Sequence, residues 1–402
     1  MCDINDIKGY ISSPYLDKAY LLAILENEPT WLSGSYILSL HKRRGVLPEY
    51  AQVLADAAEH IKAIPKLALL TRVIYHILGE KEPYRKAFTS LELPKHQREE
   101  DRIAYDCFLA IAVCAHLESS WLQLERRGVE AEVIRNTLLW LERLLREGSI
   151  KNGRTCLDKE HFAAYSLTIY VKHLMIGRLR FEIEENAERP VRIYTNRNGE
   201  IKVLMDSVML HKSGNILGTL GYSDGAGAFH ADITETDTEY VGYTVNPLTD
   251  TVRREAVVLK KSEWRELYRK GDTLIKIHIP YGGRLDKELC QNAYARARDI
   301  FKRCFSEYDI RGFTTCCWML SPELSDILAP DANIIAFKKD YTVFPALSSG
   351  MDVFLYVYGI EAGDIEEIDI EALPDDNTLR RGIKEKLKSG LYINQFNGYM
   401  PL

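Results

Sequence analysis

Between positions 16 and 177 the apolar residues recur every three or four places, the spacing of one face of an α-helix. Pro48, Pro65, Gly79, Gly128 and Gly148 punctuate this half. Its clearest stripe is Ile103, Cys107, Ala110, Cys114, Leu117, Trp121 and Leu124, which predicts a long helix packed in a bundle. A second helix is expected over 130–147, with Ile134, Leu138, Leu141 and Leu145 on one face and Gly148 as a left-handed cap. A third is expected to start at Asp158, a good N-cap, and to run past Tyr170.

At Gly177 the period changes. Residues 178–184 (Arg-Leu-Arg-Phe-Glu-Ile-Glu) alternate charge with apolar side chains, as a strand with one wet face does, and 202–210 is a second strand candidate. Residues 214–242 combine several glycines with Asp232, Glu235, Asp237 and Glu239, which predicts a solvated loop; the carboxylates lack the spacing of a calcium loop. From 273 onward the expectation is strand 273–280, helix 286–305, strand 312–320, short helix 322–328, strands 333–338 and 352–358, and helix 377–388. The predicted fold class is α+β: an all-helical N-terminal domain, 1–175, followed by an α/β domain on a mixed sheet, 176–402.

Composition narrows the function classes. The chain has 402 residues, 46 % of them apolar and 27 % charged, which describes a folded globular protein and excludes a disordered one. Its net charge of −6 is opposite in sign to that of a phosphate-tracking protein, so no nucleic-acid partner is expected. The longest apolar run, 107–115, falls short of the ~20 residues that span a bilayer, and the N-terminal residues lack the basic start of an export signal. The expectation is a soluble, cytoplasmic protein with no membrane partner. Eight cysteines without a C-x-x-C pair suggest neither a zinc ribbon nor a disulfide framework, and no metal is expected. The adjacent Cys316 and Cys317 read as packing residues of a strand.

Candidate chemistry concentrates in 274–286, where a strand runs into Gly282-Gly283 and then opens a helix. Glycines admit a ligand close to the backbone, and the first N–H groups of a helix hold anions, so the segment reads as an anion site or as a plain tight turn. Asp286 stands where it would satisfy those helix N–H groups itself, which leaves the backbone of 282–284 and the Arg284 charge for a pyrophosphate. Strand alternation places Ile275, Ile277 and Ile279 on one face and Lys276, His278 and Pro280 on the other. His278 is a candidate general base or a hydrogen-bonded structural histidine. Further on, Ser321 and Pro322 read as a helix N-cap and first turn. Trp318 reads as a core residue or as the wall of an acyl pocket. No G-x-S-x-G, H-E-x-x-H, Walker or dinucleotide fingerprint occurs, and no carboxylate spacing supports a two-carboxylate hydrolase.

The runs 278–285 (His-Ile-Pro-Tyr-Gly-Gly-Arg-Leu), 290–298 (Cys-Gln-Asn-Ala-Tyr-Ala-Arg-Ala-Arg), 316–324 (Cys-Cys-Trp-Met-Leu-Ser-Pro-Glu-Leu) and 331–334 (Asp-Ala-Asn-Ile), with 177–182, 242–247, Glu263-Trp264 and Gly271-Asp272 upstream, resemble a bacterial acyltransferase family. That family has an N-terminal helical N-acyltransferase domain and a GNAT-like C-terminal domain. The resemblance is specific from about 175 to 390 and rests on layout alone in the helical half. It implies a mixed, mostly antiparallel sheet and acyl-CoA as co-substrate, with Ile277 and Ile279 flanking the thioester and Gly282, Gly283, Arg284 and Leu285 holding the pyrophosphate. It also implies Cys317, Trp318 and Asn333 as substrate-binding residues. The implied activity is N-acylation of a small-molecule amine by direct attack, with His278 as base, directly or through water, and Tyr281 protonating the departing thiolate. The chain departs from the superfamily's Q/R-x-x-G-x-G/A phosphate loop, of which only Gly282-Gly283 remains. It also has Cys-Trp-Met-Leu-Ser at 317–321 where the family tends to have Ser-Trp-Leu-Leu-Asp, and Asp-Ala-Asn at 331–333 in place of Asp-Ser-Asn. The alternative reading is therefore a catalytically silent GNAT-like module that binds a ligand or a protein.

Overall fold

A computed structural model describes residues 4–26, 28–80 and 91–402. They fall into two compact units, 1–176 with 300–305, and 177–299 with 306–402. The first unit is helical: α1 (Ile4–Lys8), α2 (Leu16–Leu25), α3 (Gly34–Arg44), α4 (Ala51–Lys62), α5 (Pro65–Gly79), α6 (Arg102–Arg126), α7 (Ala131–Asn152) and α8 (Lys159–Ile169), closing on the strand β1 (His173–Ile176). Local chemistry sets the ends. Ser33 accepts the Tyr36 N–H to start α3, Gly45 at φ 63° ends it, and Pro65 opens α5. Asp158 accepts the His161 N–H at 2.8 Å, the expected cap of α8, and that helix stops at Ile169 instead of passing Tyr170.

The predicted stripe lies on α6, whose residues 107–114 are buried all round against α4, α5 and α8. By length and composition this helix is apolar enough to cross a membrane, yet nearly three quarters of the relevant window is buried within the protein, the mark of a core helix. In α7 the expected cap at Gly148 is wrong. The helix continues to Asn152 and ends on Gly153 at φ 67°. Gly148 sits inside it because a Cβ there would come within 2.4 Å of the Cys156 carbonyl oxygen. It is a close-approach glycine, and sequence alone does not separate that role from a cap.

The second unit holds two sheets. In the first, β2 (Leu179–Glu184), β11 (Thr273–His278), β12 (Ile310–Cys317), β14 (Phe396–Met400) and β13 (Thr342–Pro345) lie in that order, antiparallel except for the central pair β11/β12. Helix α9 (Lys287–Cys304) is the crossover between those parallel strands. The second sheet runs β10 (Trp264–Tyr268), β3 (Val191–Asn196), β4 (Ile201–Met205), β8 (Glu239–Val245), β7 (Thr234–Glu235), with β9 (Val252–Lys260) also on β8. A small hairpin joins β5 (Val208–Leu210) to β6 (Phe229–Ala231). Val191, Ile193, Val203, Met205 and Tyr268 from the second sheet share a core with Leu274, Phe344 and Tyr399 from the first.

Four expectations fail in this unit. Residues 333–338 form helix α11 (Asn333–Lys338), which follows α10 (Leu324–Ile327); six residues are too few for hydrophobic period to separate helix from strand. Residues 354–358 form a π-helical turn, burying Phe354 and Tyr358 four places apart where a strand would bury every second residue. The stretch 214–242 is only partly loop, since it contains β6, β7 and the start of β8. Ser321 is likewise not a helix N-cap: α10 starts at Leu324, and the Ser321 hydroxyl donates to the Glu323 carboxylate at 2.5 Å. The closing helix α12 (Thr378–Lys388) is capped by Asn377, close to expectation.

Candidate functional site

The parallel pair β11/β12 opens toward its C-terminal end. Cα pairing runs through Ile275↔Phe313 and Lys276↔Thr314 and stops there. Beyond it the Thr315 hydroxyl, instead of a main-chain N–H, donates to the Ile277 carbonyl at 3.0 Å. On its other edge β11 stays paired with β2 as far as His278↔Arg180. One strand thus keeps one neighbour and parts from the other. Because a strand residue directs its N–H and C=O to the same edge, Ile277 is the last residue of β11 held to β12, and the opening lies beyond it.

His278 stands at this opening. Its Nε2 lies 2.6 Å from Glu182 Oε2, and both side chains are largely buried. A carboxylate accepts, so Nε2–H donates and the basic lone pair of the neutral ring lies on Nδ1. Burial lowers the His278 pKa to about 4; the Glu182 hydrogen bond opposes the shift, and Arg180 and Lys276 add to it. The imidazole is therefore uncharged at neutral pH, with a carboxylate in place to stabilise the imidazolium once a proton arrives.

The loop after β11 is shaped by Arg178. Its guanidinium donates to the carbonyls of Pro280 (2.9 Å), Arg284 (3.1 Å) and Gly283 (3.3 Å). Gly282 and Gly283 adopt φ of 82° and 74°, which L side chains rarely take. A Cβ on Gly282 would meet nothing within 4 Å, so the glycine face is open. Leu285 is buried and pins the end of the loop, whereas Arg284 and Tyr281 are exposed. Asp286 Oδ1 accepts the N–H groups of Glu288 at 2.9 Å and Leu289 at 3.4 Å, as its position suggested. The first turn of α9 is thus capped by its own chain, and the loop backbone is what remains for an anion. With its carbonyls drawn to one guanidinium, Gly282 bare and Arg284 exposed, the loop can receive an anion on its main chain.

Other expected site residues lie apart from this cluster. Ile279 follows the strand and is half-buried. Cys316 shares the Lys276–His278 face by register, and Cys317 turns to the opposite face, where burial pushes its thiol up to about 12. Trp318 is buried with Leu324, Val353, Phe354 and Ile383, the core reading of that residue. Asn333 is exposed at the start of α11. Sequence reasoning missed Arg178, Glu182 and Thr315. Alternation in 178–184 already placed Arg178, Arg180, Glu182 and Glu184 on one face, but nothing local names the strand they border.

Comparison with solved structures finds the same fold over the whole chain. An acyltransferase in complex with decanoyl-CoA and teicoplanin superposes with a TM-score of 0.62 at 18% identity, covering 100% of both chains. An acyltransferase in complex with CoA and 10C-teicoplanin gives 0.62 at 17%, again over 100% of each. An acyltransferase in complex with decanoyl-CoA gives 0.58 at 16%, over 92% of this chain and 88% of that one. No curated protein sequence matches. Residues 174–400, more than half of the chain, match the family described as GNAT-like C-terminal domain, and the protein belongs to that family.

Proposed function

We propose that the protein is an acyl-CoA-dependent N-acyltransferase that transfers the acyl group directly to an amine of a small-molecule acceptor. The observation that carries this reading is the His278–Glu182 pair at the opening between β11 and β12, one short loop before the bare glycines held by Arg178. Structural neighbours solved with decanoyl-CoA, CoA and teicoplanin support the acyltransferase part of this reading.

In this mechanism the pyrophosphate rests on the main chain of Gly282, Gly283, Arg284 and Leu285, and the thioester lies along Ile277 and Ile279. The amine nitrogen attacks the thioester carbonyl while His278 Nδ1 takes its proton, directly or through a water, and Glu182 stabilises the resulting imidazolium. Main-chain N–H groups facing the opening receive the oxyanion. The C–N bond forms, the C–S bond breaks, and the thiolate takes a proton from the Tyr281 hydroxyl, on the chain between base and pyrophosphate loop. The mechanism draws on no group of Cys317, Trp318 or Asn333, which lie apart from this cluster, and the cytoplasm is the proposed location.

Calorimetric titration of acetyl-CoA and decanoyl-CoA, followed by an amine screen read by mass spectrometry, tests the reading. Micromolar binding, about −8 kcal/mol, that is lost in Gly283→Glu supports it. No binding at millimolar CoA refutes it and favours a silent ligand-binding module.

A further inference from the structure

The face of the first sheet that carries His278 also carries charges the proposed mechanism does not use. By register, Lys276 sits opposite Thr314 on β12, and Cys316 lies one step further along, level with His278. The Thr314 hydroxyl is buried, with 1% of the residue exposed, and Oγ1 has no hydrogen-bond partner. Beyond Cys316, its thiol donates to Gln395 Oε1 at 3.8 Å, and the Gln395 amide N–H donates to Asp352. Four charges act on the Cys316 thiol: Arg189, Lys276, Asp352 and Glu184. Two of these neutralise each other, since Arg189 bonds Glu184 in a bidentate fork at 2.7 and 3.1 Å. Lys276 and Asp352 form no ion pair among the described residues, and Glu182, the cross-strand neighbour of Lys276, is engaged by His278.

A half-buried cation is thus left without an ionic partner on the face that carries His278, while the half-buried Asp352 is bound by Gln395 beyond Cys316. Lys276 matches an anionic group one strand step back from His278 on the same face. Two strand residues span about 6.6 Å, the reach of an ω-amino acid.

We infer that this face is the acceptor subsite, and that the acceptor is an amine bearing a carboxylate or similar anionic group, held by Lys276. The inference rests on the acyltransferase reading for its name but is tested without it. Saturation-transfer NMR on the full chain measures binding of γ-aminobutyrate and of n-butylamine, its counterpart without the carboxylate, with octanoyl-CoA titrated separately. Expected is a dissociation constant for γ-aminobutyrate at least tenfold lower than for n-butylamine, with that preference removed in Lys276→Met and kept in Lys276→Arg. Equal binding of the two probes, no binding of either, or an unchanged preference in Lys276→Met overturns the inference. Failure of octanoyl-CoA to bind while γ-aminobutyrate binds refutes the acyltransferase reading and leaves the subsite standing.

Discussion

Removing the Arg178 fork should weaken CoA binding without disturbing the core. The guanidinium is half-buried and holds three carbonyls of a loop that contains two left-handed glycines. Hydrogen bonds from a charged donor contribute about 1.5–3 kcal/mol each when well made, but two of these are exposed and one is long, so about 2 kcal/mol for the set is a fair working value. Without it the loop leaves its anion-ready shape, and a competent fraction near one in thirty lowers the apparent affinity by about thirtyfold. Calorimetry with CoA on Arg178→Met reads this directly, and kcat at saturating acyl-CoA should change little. Arg178→Lys separates two causes, since lysine keeps the charge but cannot fork to three carbonyls. A lysine variant with wild-type affinity would show that position 178 acts as a point charge on the phosphates. A methionine variant within twofold of wild type would refute loop organisation altogether.

Glu182→Gln keeps an acceptor for His278 Nε2–H but removes the charge that stabilises the imidazolium, so kcat for amine transfer should fall about 10–100-fold with the KM for acyl-CoA unchanged. A raised KM with kcat unchanged would place Glu182 in binding instead. Gly148→Ala should lower stability by about 1–2 kcal/mol despite alanine's better helix propensity, because the added methyl meets the Cys156 carbonyl; urea unfolding should show a lower midpoint at constant slope. Acid should destabilise the helical unit through His116, whose pKa burial lowers to about 4 while its Nε2–H donates to the Tyr75 carbonyl. The unfolded chain takes up that proton below about pH 6.5 and the folded one does not, so stability is full above 6.5 and falls toward pH 4, by at most about 3 kcal/mol. Denaturant unfolding at pH 7.5 and 5.0 measures the loss, which His116→Asn should reduce.

Where sequence proved legible, a single period carried the information. The stripe on α6, the cap at Asp158, the alternation of β2 and the strand–loop–helix from β11 into α9 were readable because local spacing and local capping determine them. Apart from β4, which falls on the 202–210 candidate, the second sheet was not. Strand β9 exposes most of its residues and presents Arg253, Arg254 and Glu255 consecutively, so no apolar face exists to announce it. Its pairing with β8 is a long-range choice, and so is the splay of β11 from β12.

The same division runs through the site. His278 and the glycine pair stand in one segment of fourteen residues, 273–286, and residue type alone drew attention to them. What gives them chemistry arrives from elsewhere in the chain: Glu182 fixes the tautomer from β2, Arg178 turns the loop carbonyls from the residue before it, and Thr315 occupies the Ile277 carbonyl from β12. Each of these partners faces the segment only because β2 and β12 flank β11, an arrangement set by the burial of Phe181, Ile183, Ile275, Ile277 and Phe313 on the opposite face of the sheet. The apolar residues of these strands therefore act on the chemistry through register. A one-residue slip of β2 against β11 would turn Glu182 to the other face and leave His278 without its acceptor, even though every residue of the motif were still present.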